Sequence, residues 1–125
     1  MTRSEGEGFD ETSLNVSTAE GNGWSVVSVS GEIDISTATE FDDTLKAAMA
    51  SSQRVVVDLS GVRFMDSTGL GVLMRAQKQR GDDAAAGLRL AAPPARVERL
   101  LNVTKLDTVF AVYPSVAAAL GEPLP

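Results

Sequence analysis

Val55-Val56-Val57 is a run of β-branched residues with no polar residue alternating between them. A strand with one wetted face alternates; a short continuous apolar run belongs to a strand covered on both faces. The flanking segments supply the cover. Upstream, Ala38, Phe41, Leu45, Ala48 and Met49 fall on one helical face, and downstream Leu70, Leu73 and Met74 do the same, with Arg75, Lys78, Gln79 and Arg80 on the polar side. A strand set between two amphipathic helices points to an α/β domain.

The rest of the chain extends this pattern. Residues 1–12 are rich in Gly, Glu, Ser and Thr and are expected to form a disordered arm. The domain itself is expected to run from 13 to 121, with 122–125 a tail. Leu14 to Thr18 alternates and reads as an edge strand; Gly21-Asn22-Gly23 turns it into a second strand, Trp24 to Val29, making a hairpin. Trp24 is expected to pack on its strand neighbours. Gly31-Glu32-Ile33-Asp34 leads to the first helix, where Thr37 and Glu40 have the spacing of a capping box. Asp58 is expected at the C-terminal end of the Val55–Val57 strand, with Leu59 to Met65 as a loop. Gly81-Asp82-Asp83 stops the second helix, Leu88 to Ala91 is a further strand, and Pro93-Pro94 introduces a helix carrying Val97, Leu100 and Leu101. Val109 to Val112 is a last strand, and Ser115 is placed to cap a terminal helix through Leu120. The expected order is β-β-α-β-α-β-α-β-α: one α/β domain with a mixed sheet of four to five strands and about four helices.

Composition narrows the chemistry. The 125 residues contain no cysteine and no histidine. Disulfides, thiolate nucleophiles, Ser-His-Asp triads and His- or Cys-ligated metals are therefore excluded, and no cofactor or metal site is expected. A net charge of −6 argues against nucleic acid or an anionic membrane as partner. No apolar run approaches a signal-peptide core or a membrane span, so a cytoplasmic protein is expected.

The chemistry-bearing segment is Asp66-Ser67-Thr68-Gly69-Leu70-Gly71, at the start of the second helix. Backbone N–H groups without intrahelical partners and the positive end of the macrodipole make this a place where added negative charge is carried easily. Each glycine inside a helix costs about 1 kcal/mol relative to alanine, so the pair needs a reason. Close packing on the domain's own sheet is one reason, expected at Gly71. Close approach of another protein is the other, expected at Gly69. Ser67 could simply begin the helix, but Asp66 can serve as cap equally well, which leaves Ser67 free. Thr68 is a second hydroxyl beside it.

Gly31-Glu32-Ile33-Asp34 with Thr37-Ala38 and Phe41, Val57-Asp58-Leu59-Ser60, and Asp66 to Leu73 together resemble the bacterial anti-sigma factor antagonists, the STAS-domain proteins. The resemblance covers roughly residues 14 to 120 and extends through Arg96 to Phe110 and Ser115 to Leu120. It implies a protein that is not an enzyme and that, unphosphorylated, binds an anti-sigma factor with a GHKL-type serine kinase fold, releasing the sigma factor. It further implies phosphorylation of Ser67 by that kinase, release, and resetting by a PP2C-type phosphatase. Asp66, Thr68, Gly69 and Leu70 would surround the acceptor in the interface, with Gly31, Glu32, Ile33 and Asp34 alongside; Glu32 and Asp34 read equally well as a solvated strand end. One departure is Thr104-Lys105-Leu106, where many relatives have Thr-Gly-Leu; a left-handed residue ending the third helix suits glycine better than lysine.

Two other readings share the sequence. The domain could be a STAS scaffold subunit of a transporter or of a stress-sensing assembly. A receiver-like domain phosphorylated on Asp58 would need an acidic pair after the first strand to hold Mg²⁺, and none follows Leu14 to Thr18.

Overall fold

The computed structural model describes residues 14–21, 23–80 and 87–121. The N-terminal arm, Asn22, the Gly81-Asp82-Asp83 stop and the tail lie outside the described residues, as does the side chain of Arg80. The elements are β1 (Asn15–Gly21), β2 (Trp24–Ile33), α1 (Ala38–Ser51), β3 (Arg54–Met65), α2 (Ser67–Arg80), β4 (Leu88–Ala91), α3 (Ala95–Val103), a 3-10 turn (Leu106–Thr108), β5 (Ala111–Tyr113) and α4 (Val116–Leu120). They follow the expected order, and the five strands form one sheet in the order β1-β2-β3-β4-β5. The β1–β2 hairpin is antiparallel and every later pairing is parallel, so the sheet is mixed.

β2 shows how sequence alternation sets the two layers. Ser25, Val27, Val29, Gly31 and Ile33 are buried beneath the helices, while Val26, Ser28, Ser30 and Glu32 point the other way and are only partly covered. The main core joins Val27, Val29, Ile33, Val55 and Val57 to Phe41 and Leu45 of α1, Leu70 and Leu73 of α2, and Val97 and Leu101 of α3. A smaller core on the opposite face joins Trp24, Val56 and Ala91 to Ala119 of α4. Val55, Val56 and Val57 are each 0% exposed, so the valine run is covered on both sides. Trp24 sits beneath two cations, with Arg89 4.9 Å and Arg54 5.7 Å from its ring centre.

Four expectations are corrected. The segment Leu59 to Met65 is not a loop: β3 continues through it, and Asp58 stands in mid-strand rather than at a strand end. Two register shifts against β2, between Ser28 and Ser30 and between Gly31 and Glu32, break the alternation that would have marked it as strand. Thr37 and Glu40 form no capping box, since Thr37 makes no side-chain cap bond. Its hydroxyl is taken up by the preceding turn, accepting from Asp34 N–H at 3.0 Å and donating to the Glu32 carbonyl at 2.8 Å. The last strand begins at Ala111, because Leu106 to Thr108 curls into a 3-10 turn and Phe110 turns inward, 4% exposed. Close packing on the sheet, expected at Gly71, is found at Gly69 instead.

Candidate functional site

The C-terminal edges of β2 and β3 bring Gly31 to Asp34 beside Asp66 to Leu70. Ile33 pairs with Met65, and the N–H of Asp66 donates to the Ile33 carbonyl at 3.2 Å. Gly31 carries φ 102° at one of the β2–β3 register shifts, a conformation that only glycine adopts without strain. Backbone pairing therefore fixes the start of α2 against the end of β2.

At that helix start Asp66 is the cap. Its Oδ1 accepts from the Thr68 N–H at 2.9 Å, and its carbonyl accepts from Leu70 N–H at 3.2 Å. Ser67 is the first helical residue and is exposed, and among the described residues its hydroxyl makes no hydrogen bond. The Ser67 hydroxyl thus stands at the positive end of α2 while Asp66 takes the cap, as expected. Thr68 is half-buried and Leu70 is 6% exposed, so the helix turns from solvent to core within one turn.

Gly69 is buried. A Cβ there would lie 2.7 Å from Met65 Cγ and 2.8 Å from Ile33 Cγ2, so this glycine lets α2 settle onto the ends of β2 and β3. Gly71 is half-exposed, and a Cβ there would meet only the Arg75 Nη1 atom, at 3.6 Å. The close approach to the sheet is therefore at Gly69 and the open position is Gly71, the reverse of the expected division. The signal was in the sequence: Gly69 shares a helical face with Val72, Leu73 and Ala76, three, four and seven residues on and all buried, whereas Gly71 shares one with the exposed Arg75 and Lys78.

The β2–α1 turn borders the same edge. Asp34 Oδ1 accepts from Ser36 N–H at 2.9 Å and Ser36 Oγ at 2.7 Å, and the Asp34 carbonyl accepts from Thr37 and Ala38 N–H groups at 3.1 and 2.8 Å. The Ser36 hydroxyl, then the Ser36 N–H, hold the Asp34 carboxyl below its ordinary pKa; desolvation opposes them, and the Thr37 N–H and hydroxyl add lesser lowering contributions. Between Asp34 and Ser36, Ile35 projects into solvent, 82% exposed, a residue the sequence pattern did not single out. Its signal was available: an isoleucine in a polar turn with no helical or strand face to join.

Asp58 lies elsewhere, on the face away from α1 to α3. Its Oδ1 accepts from Ser60 N–H at 3.0 Å, tying down the β3 bulge. With Ser28, Ser30 and Ser60 it lines an open hollow of about 340 Å³. Among the described residues no group of three His, Cys, Asp or Glu side chains is placed to hold a metal, and no helix is long and apolar enough to cross a membrane.

The mixed five-stranded sheet and its helices have the architecture of a STAS domain. Residues 16–114 match the family model described as "Mlab, STAS domain", and the chain belongs to that family. It is similar to the anti-sigma-F factor antagonist RsfB of Mycobacterium tuberculosis, 30% identical over 109 residues that span 86% of this chain and 88% of the relative. It is likewise similar to the anti-sigma-B factor antagonist of Staphylococcus aureus, 30% identical over 79% of this chain and 92% of that protein. The crystal structure of an anti-sigma factor antagonist from Mycobacterium paratuberculosis superimposes with a TM-score of 0.82 at 34% identity, covering 90% of this chain and 95% of that one.

Proposed function

We propose that this chain is an anti-sigma factor antagonist, working in the cytoplasm as a binding switch thrown by phosphorylation of Ser67. The unphosphorylated chain binds an anti-sigma factor that is a GHKL-type serine kinase, and the sigma factor is released. The kinase transfers the γ-phosphoryl group of ATP to Ser67 Oγ, the complex parts, and a PP2C-type phosphatase hydrolyses the phosphoserine. The chain itself is a substrate and ligand rather than an enzyme. The partner face comprises the Gly31-Glu32-Ile33-Asp34 turn with Asp66, Ser67 and Thr68, underlain by Gly69 and Leu70.

The observation that carries this reading is the exposed Ser67, whose hydroxyl makes no hydrogen bond among the described residues, beside an aspartate that does the capping. A phosphate adds about −1.5 to −2 charges and three acceptor oxygens. On the isolated domain that charge meets the α2 N-terminus, a gain of about 0.3–1 kcal/mol, set against the nearby Asp66 carboxylate. In a close-packed complex the same group must be desolvated, and each 1.4 kcal/mol lost is about tenfold in affinity. The switch therefore acts on the complex and spares the fold.

Incubation with GHKL-type kinases of the same organism and Mg-ATP tests this directly. The expected result is a single addition of about 80 Da, the mass of one phosphoryl group, on the peptide containing Ser67. Addition elsewhere, or none from a kinase that binds, sinks the switch; in the latter case the chain is a STAS scaffold of a larger assembly. Ser67→Ala is expected to bind and escape release, and Ser67→Asp to bind weakly.

A further inference from the structure

We infer that Ile35 is the apolar anchor by which this chain grips its protein partner, and that the partner presents an aliphatic hollow flanked by Lys or Arg side chains. The inference rests on the reading above that the partner is an anti-sigma factor.

Ile35 is the most exposed of the large apolar residues described, at 82%. It is not loosely held. The residues on both sides are tied into one turn, through Asp34 N–H to Thr37 Oγ1, Ser36 N–H and Oγ to Asp34 Oδ1, and Thr37 Oγ to the Glu32 carbonyl. A β-branched side chain is also stiff at χ1. Presenting it in water with little freedom left to lose is the arrangement that makes an anchor effective, because binding then costs little ordering entropy. The turn is continuous with the Ser67 edge through the bond from Asp66 N–H to the Ile33 carbonyl.

Charge states the rest of the partner's character. Glu32, Asp34 and Asp66 are each half-exposed on this edge, with Arg63 of the β3 bulge exposed nearby. The Asp34 carboxylate is held ionised by the Ser36 hydroxyl and N–H. Fixed negative charge around an apolar tip is complemented by cations around an apolar hollow, an arrangement that sets orientation and on-rate while the apolar contact sets the off-rate.

The test measures binding of full-length wild type, Ile35→Ala, Ile35→Val and Ser67→Asp to GHKL-type anti-sigma kinases purified from the same organism, over a range of salt. Ile35→Ala removes three carbons, and at roughly 0.8 kcal/mol for each buried methylene the expected loss is roughly 50-fold. That loss should appear in the dissociation rate, with the salt dependence and the unfolding midpoint unchanged, and Ile35→Val, one carbon shorter, about fourfold weaker than wild type. If Ser67→Asp weakens binding while Ile35→Ala binds like wild type, the anchor is overturned and the Ser67 switch stands. If no kinase of the organism binds the wild-type chain, the switch reading fails and takes the anchor with it. Affinity independent of salt would remove the cationic rim.

Discussion

A methyl group on Gly69 would stand 2.8 Å from Ile33 Cγ2, closer than carbon atoms pack. The Gly69→Ala variant gains about 1 kcal/mol of helix propensity but suffers overpacking of about 1–3 kcal/mol, because Ile33 is fully buried and has nowhere to move. A net destabilisation of about 1 kcal/mol is expected in urea unfolding. Gly71→Ala has open space and is expected to stabilise by up to about 1 kcal/mol. Equal effects from the two would contradict the geometry.

Asp66 and Ser67 should separate in the same way. Asp66→Ala removes the acceptor of the Thr68 N–H and is expected to cost about 1 kcal/mol, while Asp66→Asn recovers most of it. Ser67→Ala should leave stability within about 0.5 kcal/mol of wild type, since the hydroxyl is exposed and bonds to nothing described. A Ser67→Ala loss as large as that of Asp66→Ala would mean the serine shares the cap.

Much of the fold was legible because period and position agreed. Leu88 to Ala91 appears with the expected bounds, the five apolar residues of α1 turn one face to the core, and Ser115 caps α4 by accepting from Ala118 N–H at 3.1 Å. The misreadings share a cause, which is tertiary pairing overriding a local signal. The length of β3 was hidden because its bulges place Ser60, Gly61, Arg63 and Phe64 without alternation, and only pairing with β2 keeps them extended. Thr37 has a cap's residue type and spacing, yet the Asp34 turn claims its hydroxyl first. At the site, Asp66 as cap and Ser67 as free hydroxyl were readable from one helix start, and the facing of Gly69 from its spacing to Val72, Leu73 and Ala76; the exposure of Ile35 required knowing where the sheet ends.

Lys105 occupies the left-handed region, φ 62° and ψ 19°, between α3 and the 3-10 turn. This conformation suits glycine, so the strain falls on the lysine. A non-glycine residue there costs about 1–2 kcal/mol, partly offset by the entropy glycine loses on folding. Lys105→Gly is expected to raise stability by about 0.5–1 kcal/mol, read as a higher urea midpoint with the slope unchanged. A lower midpoint would show that the lysine side chain contributes more than its backbone costs.

The Asp34 turn gives a pH signature. Its carboxyl titrates below the ordinary value of 3.8 in the folded chain because Ser36 and Thr37 hydrogen-bond the ionised form. A depressed folded pKa contributes stability above the unfolded value, and that contribution is lost as pH falls through the folded one. Asp34→Asn should therefore lower stability at neutral pH and converge with wild type in strong acid. Parallel curves at every pH would show that the turn does not depend on the charge.

Arg89 joins the back of the sheet to α4. Its guanidinium lies 4.9 Å from the Trp24 ring centre and 5.2 Å from that of Tyr113, and its Nη1 donates to the Ala119 carbonyl near the C-terminus of α4. Cation–π contact and a charge-assisted bond to a helix C-terminus act together here, and the planar fork makes both at once. Arg89→Met keeps the apolar stem, so the loss it reports belongs to the guanidinium; about 1–3 kcal/mol is expected. Arg89→Lys should recover only part of this, since an ammonium cannot stack between the rings. Trp24, 6% exposed, is the chain's single tryptophan and serves as the reporter. Its emission should shift to the red in Arg89→Met below the global unfolding midpoint, as α4 lifts from Val56, Ala91 and Trp24. Emission and far-UV transitions that coincide in the variant would mean that α4 is held by its apolar contacts alone.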